Sequence, residues 1–215
     1  METPAPTRGR TAFLVAISGI DGAGKGHVTA QVSASLEKCG VRVAALSVDP
    51  WLRLPRERFN STDPARHFYE QAIRFDEMFE SLVLPLRNRR SVYLEADAVE
   101  ETSTAYRRRL WLFEDVDVIL LEGIYLFRSP YRRHYDFAAW LDCSFETALD
   151  RAVRRAQEGL SPEETARAYR SIYFPAQEIH FARDDPRASA DVVLSNDDSG
   201  RAAAGAVTGA ALAAS

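Results

Sequence analysis

The sequence has only two cysteines in 215 residues, Cys39 and Cys143, too few for a disulfide framework and consistent with a reducing compartment. No uninterrupted apolar stretch approaches the ~18 residues of a membrane-spanning helix, and the start, METPAPTRGRTA, lacks the apolar segment of a signal peptide. These absences lead to the expectation of a soluble, cytoplasmic protein without a membrane partner. A long basic run is missing too: 27 Lys and Arg stand against 31 Asp and Glu, giving a net charge of −4. The electrostatic footprint of a general nucleic-acid binder is therefore absent, and no nucleic-acid partner is expected. His67, His134 and His180 do not share metal-ligand spacing. What is present is ordinary globular material, 46% hydrophobic and 27% charged residues, enough for one sizeable core.

The composition divides the chain into three parts. Residues 1–11 are rich in Pro, Thr and Arg and read as a flexible leader, and 198–215 are almost entirely Ala, Gly and Ser and read as a disordered tail. Between them, residues 12–197 alternate short apolar runs with longer helical patterns. FLVAI (13–17), VRVAALSV (41–48), VDVILL (116–121), FAAWL (137–141) and ADVVL (190–194) are strand candidates. Helices are expected at roughly 25–38, 65–88, 145–158 and 162–182. Strands separated by helices imply an α/β fold with a mainly parallel central sheet, whose ligands bind at the carboxyl ends of the strands. Residues 50–64, with three prolines, read as an ordered loop over such a site.

The residues after each strand are informative. Gly19-Ile20-Asp21-Gly22-Ala23-Gly24-Lys25 follows the first strand and opens a helix, as in a phosphate-binding P-loop. Glycines let backbone N–H groups curl around phosphate oxygens, the helix start adds partial positive charge, and Lys25 reaches the outer phosphates. The bland alternative is a Gly-rich turn without a ligand. Gly26 stands where the pattern has the Ser or Thr hydroxyl that holds Mg²⁺. Asp49 follows the second strand, where a carboxylate can accept a hydroxyl proton and touch Mg²⁺, although Asp-Pro also marks turns. Glu122 closes VDVILLEG in the manner of a Walker B acid, or else caps the next turn. Arg151, Arg154 and Arg155 share one side of a helix, suited either to a transferred phosphoryl group or to a solvated face paired with Glu146 and Asp150.

With the P-loop, Asp49, LLEGIYLFR and RAVRR in this order, the chain resembles the uridine kinase and phosphoribulokinase-like group of P-loop kinases, especially the uridine kinase-like proteins of actinobacteria. The resemblance covers about residues 12–197. It implies a three-layer P-loop NTPase fold with a helical lid, and transfer of the γ-phosphoryl group of ATP, with Mg²⁺, to a hydroxyl of a nucleoside or ribose-like acceptor. It implies Lys25, Asp49, Arg151 and Arg155 as catalytic groups, with Asp49 and Glu122 as metal contacts. Nucleotide contacts are expected from Gly19, Asp21, Gly22, Ala23, Gly24, Lys25, Gly26, His27 and Arg154. Acceptor contacts are expected from Asp49, Glu122, Asp76, which matches an aspartate holding ribose hydroxyls, and Tyr93, which matches a tyrosine lining the base pocket. Homo-oligomers occur in this group.

Two departures from that group shape the expectation. Where uridine kinases continue with a His-Ser-Arg stretch, this chain has YLEADAVEET, which departs from a uridine reader and leaves open an amine- or polyol-bearing acceptor in an acidic pocket, a sugar, a modified nucleoside or another alcohol. The loss of the hydroxyl at Gly26 leaves Mg²⁺ to carboxylates, substrate phosphates and water, with His27 or Thr29 beside it. A kinase of a specialised metabolite and a nucleotide binder without chemistry both remain open.

Overall fold

A computed structural model describes residues 11–100, 102–156 and 159–197. Of the leader expected at 1–11, residues 1–10 lie outside the described residues, as does the tail expected at 198–215. Five parallel strands form the central sheet in the order β2-β5-β1-β6-β7: β1 Phe13–Gly19, β2 Val43–Ser47, β5 Val118–Gly123, β6 Phe137–Asp142 and β7 Val192–Ser195. Each lies on one of the apolar runs. β5 and β1 are flanked by strands on both sides, and Ile119, Leu120 and Leu121 are buried in succession, as a sheet covered on both faces requires. Two further strands, β3 Val92–Ala98 and β4 Arg107–Phe113, pair antiparallel outside this sheet. They have no counterpart in the expected strands because arginines and acids interrupt their apolar positions.

Helices complete the three-layer α/β arrangement. α1 Lys25–Lys38 packs on β1, β2 and β5. A single 3₁₀ turn, Asp49–Trp51, and α2 Pro55–Arg58 order the proline-rich segment. The expected helix at 65–88 is divided into α3 Pro64–Gln71, α4 Phe75–Met78, a π-helical turn Phe79–Val83 and α5 Leu84–Arg89. The break at residues 72–74 has a clear cause. Arg53 N–H donates to Ala72 O and Arg74 N–H to Trp51 O, so the segment after β2 takes bonds a continuous helix would use. After α6 Ser129–Arg132 come α7 Phe145–Arg155, α8 Pro162–Ala168, a second π-helical turn Tyr169–Tyr173 and α9 Phe174–Asp184. Both π turns precede a proline, Pro85 and Pro175, at the opening of the next helix. A proline has no N–H and its ring crowds the carbonyl four residues back, so the wider turn accommodates it. Among the described residues, no helix is long and apolar enough to cross a membrane.

The register sets up the site. Ser47 and Ile17 both lie opposite Glu122, and Ser18 lies opposite Gly123. Val48 N–H continues the ladder to Glu122 O, which leaves Asp49 one residue beyond the last bond of β2. A Cβ on Gly123 would fall 2.5 Å from both methyls of buried Val48, so this glycine is what lets β2 and β5 end side by side. Gly123→Ala is therefore expected to lose ~1–3 kcal/mol of stability by overpacking in urea denaturation. Gly26→Ala is expected to lose none, since nothing lies within 4 Å of a Cβ there.

Candidate active site

The P-loop leaves β1 at Gly19 and enters α1 at Lys25. Gly24 caps the helix in the left-handed conformation at φ 89°, which glycine adopts without strain. No side chain caps this helix start, so its N–H groups are available to an anion. Lys25 is buried and its Nζ donates to Ile20 O at 2.8 Å. The loop is also held from outside. Asn196 Nδ2 donates to Ala23 O at 2.7 Å, and Arg151 donates to Gly22 O at 3.3 Å and to Asn196 O at 2.8 Å. Asp21 accepts from Gly22 N–H at 2.9 Å and from the Tyr169 hydroxyl, and lies 3.6 Å from Arg155. Asp21 thus ties the loop to α7 and to the turn before α9.

These groups open onto a cavity of about 420 Å³. Its lining includes Asp21, Gly22, Gly24, Lys25, Gly26 and His27 from the loop region, Asp49 and Glu122 from the strand ends, and Arg151 and Arg155 from α7. Lys25, Arg58, Arg151 and Arg155 contribute four cations against the three carboxylates of Asp21, Asp49 and Glu122. The lining is therefore net positive in a chain of net charge −4, which suits a phosphate-bearing ligand.

The carboxylates carry the chemical interest. Removal from bulk water raises the pKa of both Asp49 and Glu122 above the usual range, Lys25 opposing the shift in each case. Asp49 reaches solvent through the open cavity, yet protein surrounds it closely enough that desolvation is the larger effect. Ser47 lies within hydrogen-bonding reach of both carboxyl groups, and its Oγ accepts from Asp49 N–H at 3.2 Å. Two converging carboxylates that resist ionisation are a fitting seat for a divalent cation, with phosphate and water oxygens as its other ligands. Among the described residues there is no group of three or more His, Cys, Asp or Glu arranged for a metal. Asp49 and Glu122 would be the protein's share of a Mg²⁺ site. Thr29 Oγ1, one turn beyond Gly26, is buried without a hydrogen-bond partner and lies outside the cavity lining.

Other expected residues lie elsewhere. Arg154 is exposed and sits 3.9 Å from Asp150, as on a solvated face. Asp76 accepts from the Tyr131 hydroxyl at 2.7 Å and does not line the cavity. Tyr93 is 74% exposed, beside Leu112 on the β3–β4 pair. Among the described acids of that stretch, Glu95 and Asp97 form no acidic pocket at the cavity: they pair with Arg108 across that hairpin, at 3.4 and 3.3 Å, and neither lines the cavity. Their charges are answered locally because the antiparallel register sets Asp97 directly opposite Arg108, with Glu95 nearby on the same strand. Sequence reading also missed Arg58, Phe68, Tyr125, Tyr173 and Gln177 in the lining. Two of these carried a signal, Tyr125 three residues after Glu122 at a strand's carboxyl end and Arg58 within the proline-rich segment 50–64 expected over the site.

A carboxyl whose folded-state pKa is raised stabilises the fold below its unfolded pKa, and that contribution is lost as pH rises through the folded value. Asp49→Asn and Glu122→Gln are therefore each expected to raise the melting temperature at about pH 7, with the gain shrinking toward about pH 3, below the ordinary carboxylate values, where the unfolded carboxyls are protonated as well. Thermal unfolding at the two pH values checks this.

No protein-family model matches the sequence, and no curated protein sequence matches it. Solved structures do match. A possible uridine kinase from Bacillus stearothermophilus superposes with a TM-score of 0.67 at 20% identity, over 88% of this chain and 91% of that one. A putative fructose transport system kinase from a Silicibacter species also gives 0.67 at 20% identity, over 89% and 93%. A D-glycerate 3-kinase from Cryptococcus neoformans gives 0.54 at 12% identity, over 78% of each chain. At these identities the likeness is one of fold, and the chain has the three-layer α/β fold of these P-loop kinase structures.

Proposed function

We propose that the protein is an ATP-dependent small-molecule kinase that transfers the γ-phosphoryl group to a hydroxyl of a polyhydroxylated, ribose-like or nucleoside acceptor. The observation that carries this reading is the convergence on one cavity of an uncapped helix start, Lys25 and the two strand-end carboxylates Asp49 and Glu122. A site for binding nucleotide alone has no need of both carboxylates. The structural neighbours support the reading, since their names refer to uridine, fructose and D-glycerate, all of which carry hydroxyls.

In this reading the loop N–H groups and Lys25 hold the β- and γ-phosphates, and Arg155 with Arg151 closes on them from α7. The acceptor oxygen attacks the γ-phosphorus, the bond from that phosphorus to the β–γ bridging oxygen breaks, and ADP leaves. The hydroxyl proton passes to Asp49, whose carboxylate faces the cavity just past the end of β2. Little covalent chemistry falls to the protein, so alignment and charge neutralisation supply most of the acceleration. Bound at Asp49 and Glu122, Mg²⁺ would supply neutralisation of phosphate charge.

The rival reading, a nucleotide binder without chemistry, rests on Gly26. A serine side chain would meet open space at this position, so Gly26→Ser is a clean probe. It is expected to lower the Mg²⁺ concentration needed for half-maximal transfer in an enzyme already active with glycine. Asp49→Asn is expected to lower transfer by ~10²–10⁴-fold without weakening ATP binding, as measured by product formation and equilibrium dialysis. Wild-type turnover in that variant would remove Asp49 from the mechanism.

A further inference from the structure

Asp49 reaches the cavity from a turn that has little to hold it from within. It lies one residue beyond the last ladder bond of β2, and the next residue, Pro50, has no N–H to give. The single 3₁₀ turn Asp49–Trp51 closes on two backbone bonds, from Trp51 N–H to Val48 O and from Leu52 N–H to Asp49 O. A reacting group has to be kept within about 0.5 Å of its productive place, so this turn depends on its surroundings.

Those surroundings converge on one side chain. Arg74, at the break between α3 and α4, is 8% exposed and holds the turn through both its backbone and its side chain. Its N–H donates to Trp51 O at 2.9 Å. Its Nη2 donates to Asp97 O at 2.6 Å and reaches Pro50 O at 3.4 Å, and its guanidinium lies 5.3 Å from the Trp51 ring. Nη1 donates to both carboxylate oxygens of Glu77 at 2.9 Å, and the Tyr106 ring lies 4.8 Å from the same guanidinium. One planar fork therefore joins the turn after β2 to the end of β3.

The β3–β4 hairpin is the anchor of this span. Just past β3, Val99 N–H donates to Pro50 O at 3.0 Å. On β4, the Trp111 ring stacks on Trp51 with centroids 5.2 Å apart. Both tryptophans are buried. No residue of β3 or β4 lines the cavity, yet the hairpin grips the turn that carries Asp49 by a backbone bond, a ring stack and the donor it shares through Arg74.

Stability alone does not explain a cation at this point. A guanidinium taken out of water is repaid only in part by one carboxylate, here the 47% exposed Glu77, and apolar side chains of similar volume commonly pack as stably. What an apolar side chain cannot do is bond two carbonyls at fixed angles, for which the arginine fork is pre-organised. Arg74 does not line the cavity, so it acts on the site through the turn.

Resting on the kinase reading, we infer that Arg74 is a positioning residue which, anchored on the β3–β4 hairpin, fixes the Asp49–Trp51 turn so that the Asp49 carboxylate meets the acceptor hydroxyl. The hairpin thereby takes part in the reaction without contributing a group to the cavity.

A double-mutant cycle with Asp49 tests it. ADP formation from ATP and Mg²⁺ is followed in the full chain with uridine, D-fructose, D-glycerate or water alone as acceptor, ATP affinity by equilibrium dialysis, and folding by urea denaturation. Arg74→Lys keeps the charge and loses the fork, whereas Arg74→Met loses both and keeps the stem. With Asp49 present they are expected to lower kcat about tenfold and about a hundredfold, as small misplacements of a reacting group do, with the ATP Kd unchanged. In the Asp49→Asn background either change is expected to lower the remaining rate by less than about twofold, because the group being positioned is gone. Trp111→Leu removes the ring against Trp51 from the hairpin side and is expected to follow the same pattern, so the test stands even where an Arg74 variant does not fold. Equal losses in both backgrounds would make the support merely structural and overturn the inference. So would an unchanged kcat in the folded variants, or a loss that appears in the ATP Kd instead. A wild-type chain that binds ATP and forms no ADP with any of these acceptors would overturn the kinase reading itself.

Discussion

Hydrogen bonding between β2, β5 and β1 sets Ser47 and Ile17 opposite Glu122, and the meeting of Asp49, Glu122 and the loop after β1 at one cavity depends on that register. A slip of one residue would turn Glu122 to the opposite face of the sheet and carry Asp49 away from it. The register is secured by ordinary means. Apolar residues are buried in succession along β5, α1 packs across the same strands, and Gly123 makes room for Val48 where β2 ends. The chemistry is then placed by chain continuation alone, since the P-loop runs directly out of β1 and Asp49 sits just past the end of β2.

What the sheet gathers is in electrostatic tension. Asp49 and Glu122 are crowded closely enough by protein that desolvation opposes their ionisation, with Lys25 as the main favourable charge for both. Opposed tendencies of this kind cluster at functional sites because a ligand relieves them. The P-loop shows the complementary condition, an uncapped helix start beside Arg151 and Arg155. A phosphate-bearing ligand with its cation answers both halves together, which is why the site makes more sense as the seat of a transfer than as a structural ion-pair network.

Much of the fold was legible in the sequence. All five strands of the main sheet begin within about two residues of their apolar runs, and α1 spans 25–38 as the P-loop pattern requires. The strand-end positions of Asp49 and Glu122 were legible as well, because a parallel sheet places its ligands there. Elements whose form depends on partners distant in sequence were not. The break after Gln71 comes from backbone bonds to residues 51 and 53. β3 carries two acids and β4 opens on three arginines, so neither shows the continuous apolar run that marks the main sheet, and their pairing also diverts Glu95 and Asp97 from the site. Arg58, Tyr125 and Gln177 reach the cavity from three separate elements, and no local spacing links them.

The central claim is that this P-loop, with Gly26 in place of a hydroxyl residue, still directs a phosphoryl group onto an acceptor hydroxyl. Mass detection of products after incubation with ATP, Mg²⁺ and a mixed panel of nucleosides, sugars, sugar acids and sugar phosphates tests it most directly. The predicted result is one class of acceptor gaining a single phosphoryl group as ADP appears in equal amount. Confirmed ATP binding in the same preparation, with no acceptor in the panel phosphorylated, would contradict it.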